Sequence, residues 1–175
     1  REREILGNRY KVPRFVPEAI LSRRSFRESI VSAARERGVD DEAAMRLAER
    51  HLDEIAATHS PYVIDIIANL IHALYRQGYG RIRYHSDEVR RIAELGRDHP
   101  VVFLPSHRLN LDRLTLQYLL WENGLPANHT AGGNNLDFFP VGPLMRRTGV
   151  FFIRRSFKDD EIYKRVLRAY IDFLI

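Results

Sequence analysis

The 175-residue sequence contains no cysteine. That excludes a disulfide framework, a thiolate metal site and a cysteine nucleophile, and it fits a reducing compartment. No apolar run approaches the roughly 18 residues of a membrane-spanning helix. The opening R-E-R-E lacks the apolar centre of a secretory leader. There is no internal repeat and no low-complexity segment. Acidic residues are in deficit: 28 Lys and Arg face 23 Asp and Glu, a formal charge of +5. Such a balance favours anionic partners, whether phosphate esters, coenzyme A, acidic lipid or nucleic acid. The basic residues are interleaved with acids, as on solvated helix faces. Zinc-finger spacing, an RNP-like aromatic motif and a recognition-helix cluster are all missing, which argues against nucleic acid.

What is present suits a globular chain, with 45% hydrophobic residues to build a core. Residues 1–16 read as a charged, proline-dotted arm. Ser25-x-x-Glu28 reads as a capping box opening a helix that buries Phe26, Ile30, Ala33 and Ala34 and stops at Gly38. Asp40-Asp41-Glu42 opens a second helix, with Ala44, Leu47, Ala48, Leu52 and Ile55 on its apolar side. Ser60-Pro61 starts a third. Its expected buried face is Val63, Ile66, Ile67, Leu70, Ile71 and Leu74, with His72 solvated. Residues 1–78 are thus expected to form a helical region.

After Gly80 the texture changes. Short strands are expected at Arg81–Tyr84, Val101–Leu104, Asn128–Ala131 and Val150–Arg154. Helices are expected from Ser86 to Gly96, from Asn110 to Gly124, and from Asp159-Asp160-Glu161 through Val166, Leu167, Tyr170 and Phe173. Alternating strands and helices predict an α/β domain with a mostly parallel sheet over 79–175, following an N-terminal helical bundle. Sites in such sheets lie beyond the carboxyl ends of the strands. The chain has no initiator methionine, and Tyr163 to Ile175 stops inside a helical pattern, so a fragment of a longer protein is expected.

Two stretches carry chemistry. The first, P-V-V-F-L-P-S-H-R-L-N-L-D, runs from Pro100 to Asp112. His107 sits on a loop after an apolar run, and Asp112 falls in the first turn of the next helix. A neutral imidazole can take a proton from a substrate hydroxyl, and a carboxylate on its other nitrogen fixes the tautomer. The substrate's own alcohol is then the nucleophile, which suits acyl transfer. Spacing alone decides little: seven His and 11 Asp give about 0.4 chance matches to H-x-x-x-x-D. Asp112 equally suits the helix macrodipole, with Asn110 as cap.

The second stretch, Gly149 to Arg155, reads G-V-F-F-I-R-R. It delivers two arginines to a strand end, and arginine can fork around a phosphate. Alternation sends Arg154 and Arg155 to opposite faces. Between the two stretches, Gly132-Gly133 permits a turn or a close backbone approach. Phe138, Phe139, Val141, Leu144 and Met145 form an apolar patch bounded by Arg146-Arg147. That patch can line an acyl groove, meet lipid, or pack on the core.

P-S-H-R-L-N-L-D resembles the first motif of the glycerolipid acyltransferases, and G-V-F-F-I-R-R resembles their second. The linker A-G-G-N-N-L-D-F-F-P-V-G-P-L-M-R-R-T-G and the following R-S-F-K are similar to the membrane-associated glycerol-3-phosphate acyltransferases. Arg108 after His107 is similar to the bacterial and mitochondrial glycerol-3-phosphate enzymes and the related dihydroxyacetone-phosphate enzymes, whereas lysophosphatidate acyltransferases tend to have N-H-x-S. Leu109 departs from the serine usual there. The third and fourth motifs are absent up to Ile175.

The resemblance implies a glycerol-3-phosphate 1-O-acyltransferase, acting at the first step of phospholipid biosynthesis. His107 and Asp112 would be catalytic. Arg155, Arg154, Arg108 and Gly149 would bind substrate. Glycerol 3-phosphate would be the acceptor, and acyl-CoA or acyl carrier protein would bring the acyl group. No metal and no cofactor is called for. The enzyme would sit peripherally on the cytoplasmic side of the cell membrane, against an anionic surface. Alternatives are a dihydroxyacetone-phosphate or lysophospholipid acyltransferase, or a non-catalytic basic membrane-binding module.

Overall fold

A computed structural model describes residues 16–79, 82–105 and 111–175. The described chain is mostly helical, with one small parallel sheet, an α/β arrangement. It forms two compact units. One comprises 60–128; the other joins the described residues up to His59 with His129–Ile175. This contact division and the sequence division at 78/79 cut the chain at different places.

The second unit holds the largest core. Its helices are α1 (Val16–Leu21), α2 (Arg24–Glu36) and α3 (Asp41–Ile55), which pack with the last helix of the chain, Glu161–Leu174. In α3, the Asp40 carboxylate accepts from the Ala43 N–H at 3.0 Å, while Asp41 and Glu42 face the positive end of the dipole. Ala44, Ala48, Leu52 and Ile55, spaced by three and four, are all buried. The last helix is built likewise. Asp160 caps the Tyr163 N–H at 3.0 Å, and Ile162, Tyr163, Val166, Leu167, Tyr170 and Phe173 are buried. The Tyr170 hydroxyl accepts from the Ala57 N–H at 3.0 Å and so fixes the chain just past α3.

The expected capping box does not form. Arg23 is the N-cap of α2 and gives no side-chain cap, Ser25 lies inside the helix, and Glu28 instead accepts from Arg24 Nε at 2.7 Å. An i,i+4 ion pair has won over the reciprocal cap. The expected buried face of α2 is as observed.

The first unit contains α4 (Pro61–Leu74), which runs into a π turn (Tyr75–Tyr79), then α5 (Ser86–Asp98) and α6 (Leu111–Glu122). Pro61 opens α4 as expected, but the buried face differs. Ile64, Ala68 and Ile71 are inside, while Ile66, Leu70 and Leu74 are exposed. The helix is apolar nearly all round, so periodicity does not choose its face; polar anchors do. Trp121 Nε1 donates to Asp65 at 2.9 Å, the Tyr75 and Thr115 hydroxyls bond at 2.6 Å, and His72 Nδ1 meets the Tyr118 hydroxyl at 2.7 Å. His72 is therefore engaged rather than simply solvated. Because the Tyr118 O–H donates to Glu122 at 2.8 Å, His72 Nδ1–H is the donor in its pair. Burial and that carboxylate push the Tyr118 pKa up to about 12.

Two expected strands are not found. Residues 82–84 and 101–105 carry no strand, and Val102 and Leu104 are 70% and 89% exposed. An apolar run states a preference for burial, but a strand needs a partner ladder. None lies beside 101–105 among the described residues.

The sheet pairs β1 (Thr130–Gly133) with β2 (Val150–Ile153) in parallel, Thr130 opposite Val150 and Gly133 opposite Ile153. Between them run a 3₁₀ turn (Asn134–Leu136) and α7 (Val141–Arg147); the last helix is α8 (Glu161–Leu174). The two strands occupy the expected places near 128–131 and 150–154. Close approach explains Gly132: a Cβ there would meet Val150 Cγ1 at 2.9 Å. A Gly132→Ala variant should lose about 1–3 kcal/mol of stability, because the stiff valine cannot swing aside. Urea unfolding checks this, and an unchanged midpoint would show that the strands separate freely.

Candidate active site

The first motif is described only in part. His107 and Arg108 lie outside the described residues, so their expected roles stand as proposals. Asp112 is described. It occupies the first turn of α6 and is half-buried. The helix it opens ends as expected, with Gly124 at φ 65° and Leu125 N–H returning to the Leu120 carbonyl at 2.8 Å. Next to Asp112, Arg113 donates to Gln117 at 3.3 Å, and burial lowers its pKa from the ordinary value.

The second motif is described throughout, in the other unit. Val150, Phe151 and Phe152 are buried, and β2 ends at Ile153. Gly149, buried, has φ 94°, where side chains are strained. It turns the chain from α7 into β2: its N–H bonds the Arg146 carbonyl at 3.0 Å, and its carbonyl accepts from Thr130 N–H at 2.9 Å. The backbone of Gly149 thus serves the strand pairing.

Beyond the strand, the two arginines differ in their surroundings: Arg154 is half-buried and Arg155 is exposed. Arg154 forks onto Glu54, Nε to Oε1 at 2.7 Å and Nη2 to Oε2 at 2.6 Å. Its Nη1 donates to Asp160 at 3.0 Å, and the guanidinium lies 4.5 Å from the centroid of the Tyr163 ring. Hydrogen bonding to Glu54 raises the Arg154 pKa. Arg155 is exposed and has no hydrogen bond or ion pair among the described residues.

Parallel pairing sends the segment after β1 out at the same edge as Arg154 and Arg155. That segment carries the expected apolar patch. Phe139 is 87% exposed and Phe138 and Leu144 are exposed too, while Val141 and Met145 are half-buried; Leu136, outside the expected set, is also exposed. One bounding arginine is not available to a ligand. Arg146 bonds Asp137 at 2.5 Å and closes the end of α3 through the carbonyls of Asp53, Glu54 and Ala56 at 3.2, 2.6 and 2.8 Å. Arg147 is exposed.

Sequence reasoning missed His51 and Glu54. His51 is buried, with Nδ1 3.2 Å from Arg154 Nη2 and Nε2 3.2 Å from Asp160 Oδ2. Its signal was present as a histidine on the apolar side of α3, one turn before a glutamate. Two further histidines, His59 and His129, meet edge to face with centroids 4.4 Å apart. Among the described residues no group of three or more His, Cys, Asp or Glu could hold a metal ion. None of the described helices is long and apolar enough to cross a membrane.

The family follows from comparison. A family model described as Acyltransferase matches residues 81–171. The glycerol-3-phosphate acyltransferase of Shewanella loihica is 37% identical over 157 residues, covering 89% of this chain and 19% of the relative. That of Shewanella oneidensis is 37% identical over 158 residues, covering 90% and 19%. That of Pseudoalteromonas atlantica is 34% identical over 157 residues, covering 89% and 19%. The chain belongs to the acyltransferase family, and it spans about a fifth of the length of these curated relatives.

Two imidazoles, buried His51 and half-buried His129, make the unit around β1 and β2 sensitive to acid. Burial, then the neighbouring His59, lowers the His129 pKa to about 3. Burial also lowers that of His51, with Arg154 adding to it and Asp160 and Glu54 opposing. The unfolded chain therefore takes up protons that the folded chain refuses. Stability should fall as pH drops below about 6.5, by about 1.4 kcal/mol per pH unit for His129 alone. Urea unfolding at pH 7, 6 and 5 should show the slope, and His129→Gln should flatten it. A midpoint constant from pH 7 to 5 would contradict the assignment.

Proposed function

We propose that this chain is the motif-bearing part of an enzyme that moves a fatty acyl group to the sn-1 hydroxyl of glycerol 3-phosphate. One observation carries the reading: the acyltransferase match over 81–171 contains both motif stretches, 100–112 and 149–155. The names of the relatives supply the acceptor.

His107 takes the proton of the acceptor hydroxyl as its oxygen attacks the carbonyl carbon of an acyl thioester. Asp112 orients the imidazole and stabilises its protonated form. The carbon–sulfur bond breaks and the proton passes to the departing thiolate, giving lysophosphatidate and free thiol. The donor is acyl-CoA or acyl carrier protein. Arg155 holds the acceptor phosphate, since it stands exposed beyond β2 while Arg154 is taken by Glu54 and Asp160. Arg108 contacts a phosphate or the oxyanion. Gly149 supports the site through the turn into β2. The exposed aromatic segment at Phe138 and Phe139 meets the acyl chain or the lipid surface, on the cytoplasmic side of the membrane.

In the full-length enzyme, His107→Ala and Asp112→Asn should abolish thiol release from acyl-CoA that depends on glycerol 3-phosphate. General-base loss of this kind costs about 10²–10⁴ in rate. Undiminished turnover in His107→Ala would remove the base from the mechanism. Arg155→Ala should raise KM for glycerol 3-phosphate far more than it lowers kcat; an unaltered KM would place the phosphate elsewhere.

A further inference from the structure

Arg154 and Arg155 are adjacent in sequence, yet their surroundings have nothing in common. Four of the five Arg154 N–H groups have an acceptor: two meet the Glu54 carboxylate, one meets Asp160, and one meets His51 Nδ1. Its backbone N–H donates to the Tyr163 hydroxyl at 3.0 Å. Backbone and side chain of this residue are both fixed, on the face of the strand end that looks toward α3 and α8.

The chemistry of the cluster is one-sided. Arginine only donates, so His51 Nδ1 must accept, and the imidazole proton sits on Nε2 beside Asp160 Oδ2. Two carboxylates against one guanidinium leave the cluster anionic, and a phosphate would be repelled from it. Arg155, by contrast, is exposed, and the ion pairs to Glu54 and Asp160 are made by Arg154. Glu54 belongs to α3, far before the matched region 81–171 and 100 positions from Arg154.

We propose that Glu54, with His51 and Asp160, is a positioning residue for substrate binding: it pins Arg154 at the end of β2 and thereby turns Arg155 toward the acceptor phosphate. The proposal rests on the reading of Arg155 as phosphate ligand. It gives the helices that precede the matched region a part in recognition. The bidentate fork suits this task because it sets the orientation of the guanidinium as well as its distance, which a lysine cannot do.

The test uses the full-length enzyme and steady-state kinetics on four variants: Glu54→Gln, Arg154→Lys, Arg155→Ala and the double variant Glu54→Gln/Arg155→Ala. Glu54→Gln should raise KM for glycerol 3-phosphate by about 3–10-fold, with kcat within about twofold and KM for the acyl donor unmoved. A purely structural loss would lower active enzyme and leave every KM in place. Arg154→Lys, which keeps the charge and loses the fork, should match Glu54→Gln and serves if that variant fails to fold. The double variant should show the KM of Arg155→Ala alone, because both changes act through one side chain. An unmoved KM in folded Glu54→Gln or Arg154→Lys, beside a raised KM in Arg155→Ala, overturns the positioning role and leaves the phosphate reading standing. So do effects that multiply in the double variant. An unmoved KM in Arg155→Ala overturns both.

Discussion

The fork between Arg154 and Glu54 is the contact on which the unit carrying the second motif depends. It joins a helix near the start of the chain to a strand end 100 positions later. Without it two partly buried carboxylates, Glu54 and Asp160, would face each other across the space the guanidinium fills. A guanidinium suits that place because its flat donor array meets both acids and an imidazole at once, while its face rests on Tyr163. Asp160 joins this contact to the fold on the other side, since its second oxygen caps α8. Helix start, strand end and helix end are thereby held at one point.

A second guanidinium plays a comparable part at the C-terminal end of α3. Arg146 meets the last carbonyls of that helix, groups that an α-helix cannot satisfy internally. Both arginines belong to pairs, Arg146-Arg147 and Arg154-Arg155, and in each the first is consumed by the fold while the second is exposed. The excess of basic residues is thus divided by burial. Some cations hold acids and helix ends in place, and their neighbours carry the free positive charge.

Much of the fold was legible because its cues are local. Acid-rich helix starts at Asp40 and Asp160, the proline at the head of α4, glycine after α6 and the core faces of α2, α3 and α8 were all readable from spacing and caps. The two strands that form were readable as well, and of the two readings of Gly132-Gly133, a turn or a close approach, position 132 makes the close approach. Cues that depend on a partner were not. The run 101–104 is apolar but has no ladder beside it among the described residues. The inward face of α4 is chosen by Asp65, His72 and Tyr75, which an apolar pattern ignores. Of the candidate site, the reading that Arg154 and Arg155 differ in their surroundings agrees with a half-buried Arg154 and an exposed Arg155, both past the end of β2. Only coordinates could show that the acids taking Arg154 come from α3 and α8, because nothing in a linear pattern ties position 54 to position 154.

Arg146 bonds Asp137 as well as the end of α3, so the ten-residue stretch from 137 to 146 is clasped at both ends by a single side chain. A stretch closed in this way can change at its outer rim, around Phe138 to Pro140, without transmitting the change to the ladder behind it. The exposed rings at that rim accordingly stand apart from the clasp that leads into the β1–β2 register.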